Sequence, residues 1–124
     1  MYHVEIDNPS GYTFNVTCDS CEFTIGAKGI TPSATLLASL GSCIGVYLRK
    51  YAESAKLDLG NFSLKVEAEF SKESPLRFKD IYVTVDLKGK QFDERRKEAM
   101  LEFAKKCPIH NTMKNNPAID IKII

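Results

Sequence analysis

Two cysteines stand in unusual company. Cys43 lies among the small residues Gly41, Ser42 and Gly45, where a reagent or another backbone could approach closely. Cys107 lies in the run Lys-Lys-Cys-Pro-Ile-His-Asn-Thr, preceded by Lys105 and Lys106 and followed by Pro108. If Pro108 opens a helix, the Cys107 sulfur falls at that helix's positive end. Helix N-termini and nearby cations lower a thiol's pKa and make it reactive near neutrality. By this local argument Cys107 is the more acidic thiol. Such a pair points to redox chemistry, provided that the fold brings the two sulfurs together.

The other two cysteines, Cys18 and Cys21, form a Cys-x-x-Cys. That spacing suits a redox pair or half of a metal site. Cys107 and His110 have the same spacing, so the four residues together would make a two-plus-two set of the kind that holds structural zinc. An incidental hairpin pair is the competing explanation for Cys18 and Cys21, and we assign no metal. His110, one turn beyond Cys107, is an auxiliary candidate as a base; capping or packing is the more ordinary role. No Ser-His-Asp set, carboxylate pair or phosphate loop stands out.

The chain that must position these thiols has 124 residues, which fits one domain over 1–124. With 44% hydrophobic and 27% charged residues it has an ordinary globular composition. A net charge of +1 gives no electrostatic case for nucleic acid. No basic segment followed by an apolar one marks a signal peptide at the start. Gly29 to Leu48 carries no charge, but Pro32, several glycines and serines, Thr31 and Thr35 make it a buried helix rather than a membrane span. Four cysteines without a secretory signal favour a cytoplasmic redox role over a disulfide framework.

Periodicity supplies the elements. Tyr2, Val4 and Ile6 alternate with polar neighbours, as do Tyr12, Phe14 and Val16, and then Phe23 and Ile25. Asn8-Pro9-Ser10-Gly11 is a turn signal, and Asp19-Ser20 fits a tight hairpin turn between Cys18 and Cys21. Thr31-Pro32 opens a long helix to about Ala55, with Thr31 as its cap. Its apolar and small residues surround most of its circumference, which predicts burial on nearly all sides and close packing of a second helix on Gly41 and Gly45. Alternating strands follow around Phe62–Phe70 and Ile81–Leu87. Asp93 caps a helix from Glu94 to Lys106, a short helix follows Cys107-Pro108, and Ile119, Ile121 and Ile123 alternate in a final strand. This order predicts an α+β fold with helices against one face of an antiparallel sheet.

Thr31-Pro32-Ser33-Ala34-Thr35-Leu36-Leu37-Ala38-Ser39-Leu40-Gly41-Ser42-Cys43 resembles the central-helix signature of the OsmC-like family, which includes the organic hydroperoxide resistance (Ohr) proteins. Cys107-Pro108-Ile109-His110 resembles that family's second signature, Cys-Pro-[Val/Ile]. Spacing and element order agree from about Tyr12 onward. The resemblance implies an OsmC-like fold with Cys43 on a long buried central helix, and an intertwined homodimer with active sites at its interface. It also implies that Cys43 attacks the peroxide, that Cys107 resolves the product as a disulfide, and that a dithiol reductant resets the pair. No cofactor is implied.

Two departures from the peroxidase pattern are visible. Ser33 and Ala34 stand where peroxidase members have a Glu just after the signature Pro. No Arg precedes Arg49, and Lys28 is the one Lys or Arg up to Leu48. Lys28 supplies charge without the planar fork of a guanidinium, and Glu22 is a candidate to stand in for the missing acid. The expected function is therefore a thiol-dependent hydroperoxide reductase. Its alternative is a non-enzymatic module that binds a small hydrophobic ligand, with redox-sensing or vestigial cysteines.

Overall fold

The computed structural model describes residues 1–124. It divides into two compact units, Met1–Ala38 and Ser39–Ile124. The architecture is α+β, as the patterning predicts.

The first unit is built on a three-stranded antiparallel sheet of β1 (Glu5–Ser10), β2 (Thr13–Cys18) and β3 (Cys21–Gly26), in the order β1-β2-β3. The β2–β3 register runs from Thr13 opposite Gly26 to Cys18 opposite Cys21. Asp19 and Ser20 make the turn, Asp19 with a positive φ of 28° that Asp tolerates better than most residues. The first strand starts later than Tyr2, because Glu5 already pairs with Thr17 and β2 ends one residue on. Met1–His3 therefore run past the end of β2. At the other end the ladder continues by means of a bulge to Ser10 opposite Thr13, so that of the Asn8–Gly11 turn signal only Gly11 lies in the turn. There the Asn8 amide donates to the carbonyl oxygens of Gly11 and Thr13, each at 2.9 Å.

Helix α1 spans Pro32–Ser54, close to the expected boundaries. Thr31 caps it, its hydroxyl accepting from the Ala34 N–H at 3.1 Å. Beyond Ser39 it lies against a two-stranded antiparallel ladder, β4 (Ser63–Phe70) and β5 (Phe78–Asp86). The sequence suggested a single sheet; the chain instead holds two separate ladders. Gly41 and Gly45 were expected to admit a second helix. They admit β4: a Cβ on Gly41 would lie 2.9 Å from a Val66 methyl, and one on Gly45 would lie 3.4 Å from Leu64. The side chains of Val66 and Leu64 fill the grooves that the missing Cβ atoms leave.

Helix α2 (Glu94–Ala104) is capped by Asp93, whose carboxylate accepts from the Arg96 N–H at 2.7 Å. Helix α3 (Pro108–Lys114) follows after a three-residue break. Leu48 and Ala52 of α1, Leu59, and Met100 and Ala104 of α2 form the buried core of this unit. Full burial of a side chain such as Leu48 or Leu59 stabilises by about 1.5–3 kcal/mol. Phe103 extends the contact between the helices, its ring 6.0 Å from that of Tyr47 and 5.6 Å from that of Tyr51. Arg96 donates to the Tyr51 hydroxyl at 3.1 Å.

Two expectations fail. The helix is not buried all round within one chain: only Leu40, Gly41, Leu48 and Ala52 are buried, whereas Leu36 and Val46 are exposed. Residues 117–124 form no strand. Ile119, Ile121 and Ile123 keep their alternation but stand exposed, at 79%, 86% and 97%. A strand exists by exchanging backbone hydrogen bonds with a neighbour, and this segment has none within its own chain.

Candidate active site

Cys43 and Cys107 lie together, both within the second unit. Their thiols are close enough to interact, and neither is in a disulfide. Cys43 reaches this position because it sits on α1 two residues beyond the glycine that nests on Val66. Cys107 reaches it because α2 ends at Ala104 and the chain turns into α3, with the Cys107 N–H donating to the Ala104 carbonyl at 3.1 Å.

Cys107 is the N-cap of α3, and Pro108 occupies the first turn as expected. Its sulfur accepts from the His110 N–H at 3.4 Å. The helix end does act to lower the thiol's pKa, through the backbone N–H groups of His110 and Ile109, but it does not prevail. Burial pushes the Cys107 thiol up, and the hydrogen bond and charge of Cys43 push it further in the same direction. Cys107 is completely buried, at 0% exposure, while Cys43 is half-buried. The flanking lysines do not rescue the acidic reading. Lys105 pairs with Glu102 at 3.1 Å, and the Lys106 ammonium lies 4.9 Å from the centre of the Phe103 ring. The local expectation that Cys107 is the acidic thiol is thus corrected: burial and the neighbouring Cys43 raise its pKa more than the helix end lowers it.

His110 contributes its backbone N–H to Cys107, while its imidazole Nδ1 is buried without a hydrogen-bond partner. The ring lines a cavity of about 560 Å³ whose other walls include Leu40, Ile44 and Leu48 of α1, Val83 of β5 and Met113 of α3. Sequence reasoning missed this cavity. The spacing of Leu40, Ile44 and Leu48 at every fourth residue was its one visible trace. Lys79, Lys105 and Lys114 also line it, so its wall carries cations as well as apolar groups.

In the first unit Cys18 and Cys21 face each other across the β2–β3 turn, both free. Glu22, on β3, and Lys28, in the turn after it, are exposed. No three His, Cys, Asp or Glu side chains gather in a way that could hold a metal ion, so the two-plus-two zinc arrangement is not assembled. No helix is long and apolar enough to cross a membrane.

A family model described as OsmC-like protein matches residues 25–122, nearly four-fifths of the chain. The chain belongs to the OsmC-like family. Solved structures carry the same fold. An OsmC-like protein from Mycoplasma pneumoniae superposes with a TM-score of 0.80 at 19% identity, covering 94% of this chain and 89% of that one. A hypothetical protein from Aquifex aeolicus VF5 gives 0.79 at 20% identity with the same coverage. The organic hydroperoxide resistance protein OhrB of Bacillus subtilis gives 0.62 at 19% identity, covering 93% of each chain. No curated protein sequence matches. At these identities the structural likeness of this OsmC-like protein to its neighbours speaks for the fold alone.

Proposed function

We propose that this OsmC-like protein, acting as a single domain over residues 1–124, is a thiol-dependent hydroperoxide reductase using Cys43 and Cys107. The carrying observation is the contact of two thiols that differ in exposure. The half-buried Cys43 thiolate attacks the outer oxygen of an organic hydroperoxide. The O–O bond breaks, the alkoxide takes a proton and leaves as alcohol, and Cys43 becomes a sulfenic acid. Cys107, buried and held protonated, does not compete for peroxide. It then attacks the Cys43 sulfur; hydroxide leaves with the Cys107 proton as water, and a disulfide forms. A dithiol reductant restores both thiols by exchange. The family's peroxide-resistance members support this reading, as does the cavity lined by Ile44 and His110, sequence neighbours of Cys43 and Cys107, whose mixed apolar and cationic wall can take an organic molecule.

The active form is a homodimer in the cytoplasm. The exposed apolar residues of α1 and the exposed isoleucines of residues 119–123 support self-association, because burying such side chains against a second copy is favourable.

A second reading has its own support. The Arg and Glu of the peroxidase pattern are absent from their expected places, and the cavity would serve a non-enzymatic module that binds a hydrophobic ligand. One experiment separates the two. Reduced protein is given one equivalent of cumene hydroperoxide and weighed intact. Rapid loss of two hydrogens, mapped to Cys43–Cys107 and abolished by Cys43→Ser, supports the reductase. Thiols that stay reduced for many minutes rule it out in favour of ligand binding.

A further inference from the structure

We infer that Cys18 and Cys21 form a second redox site, a surface dithiol that exchanges with small-molecule disulfides. The two residues are direct cross-strand partners closing the Asp19-Ser20 turn. Opposed residues in an antiparallel ladder have Cα atoms about 4.5–5.5 Å apart. That lies inside the span of about 4.4–6.8 Å that a disulfide bridges. The hairpin therefore presents two thiols that can close into a disulfide with the β2–β3 register kept. Both are free, and the Cys18 thiol donates to the Cys21 carbonyl at 3.7 Å, so its sulfur already leans across the turn.

Exposure sets the order of events. Cys21 is exposed and Cys18 is half-buried, on the wall of an open cleft that it shares with Tyr2, His3 and Asp19. Cys21 attacks one sulfur of the incoming disulfide. The S–S bond breaks, and the departing thiolate takes up the Cys21 proton and leaves as thiol. Cys18 then attacks the Cys21 sulfur of the mixed disulfide. The second thiol leaves with the Cys18 proton, and Cys18–Cys21 closes. The dithiol loses two electrons, and the small disulfide gains them as two thiols.

The chemistry differs from that at Cys43. Burial, Cys21 and the Asp19 carboxylate all push the Cys18 thiol up, and Glu22 adds a further negative charge next along the chain. Asp19 and Glu22 set negative charge beside the pair, while Met1 and His3 share the cleft with Cys18. No third His, Cys, Asp or Glu side chain converges on the pair.

The test uses the full chain, reduced, with glutathione disulfide as the probe, followed by alkylation and peptide mapping. The wild-type protein should lose two hydrogens from the peptide containing Cys18 and Cys21, and that peptide should resist alkylation. Cys18→Ser should accumulate a glutathione adduct on Cys21. Cys21→Ser should accumulate several-fold less adduct on Cys18. Cys43→Ser should form the Cys18–Cys21 link unchanged, so this result stands or falls separately from the hydroperoxide reading. A wild-type peptide that stays fully alkylatable, or one that keeps glutathione without closing, would overturn the proposal.

Discussion

At the scale of the residue, the central fact is that two thiols in contact are unequal. Cys107 is fully buried and faces Cys43, and its pKa is raised by burial first and by Cys43 second. Two expectations follow. Cys107→Ser should leave the attack on peroxide intact and stop resolution. Dimedone should then label Cys43 as a persistent sulfenic acid, where the wild type shows little; equal labelling would remove Cys107 from the resolving role. The second concerns pH. A raised folded pKa means that the folded chain holds the Cys107 proton where the unfolded chain releases it. The stabilisation is fully present below the unfolded thiol pKa of about 8.5 and is lost as pH rises through the folded value. Urea unfolding midpoints should therefore fall above about pH 8.5, and less so in Cys107→Ala. Parallel slopes for the two proteins would refute the assignment. The sequence displayed both cysteines and the helix start at Pro108. It could not display burial, which outweighs the helix end.

At the scale of the element, caps and glycines carry separable energies. Loss of a capping side chain costs about 1 kcal/mol, so Asp93→Ala should destabilise by that amount through the freed Arg96 N–H. Gly41 and Gly45 should respond differently to alanine. Replacing a mid-helix glycine gains roughly 0.5–1 kcal/mol of backbone entropy. At Gly45 the new methyl meets ordinary contact distances, and Gly45→Ala should raise stability by about that gain. At Gly41 it meets a Val66 methyl at 2.9 Å, and forced overpacking typically costs about 1–3 kcal/mol. Gly41→Ala should be the less stable variant in chemical denaturation. The reverse order would mean that β4 yields freely to α1. The extents of α1, α2, β4 and β5 were legible because Thr31, Pro32, Asp93 and the alternating runs specify them locally. The partner of the small-residue face was not legible, because a glycine announces only that something comes close.

At the scale of the whole molecule, a single chain leaves much apolar surface uncovered. Leu36, Val46 and the isoleucines at 119, 121 and 123 are exposed. If a second copy covers them, as proposed, Ile121→Asp should shift sedimentation from dimer toward monomer, while a wild type that sediments as a monomer would remove the dimer. By itself the sequence determined the α+β class, most element boundaries, the two signature motifs and the identity of the thiols. These rest on short-range physics: caps, turn residues, and periods of 2 and 3.6. Tertiary structure alone decided that Cys107 is fully buried beside Cys43, that burial outweighs the helix end in setting its pKa, that β4 fills the glycine groove, and that residues 117–124 pair with nothing in their own chain. Each of these depends on which groups distant in sequence come to surround a residue. Burial, desolvation and ladder pairing are set by those neighbours, and no local pattern encodes them.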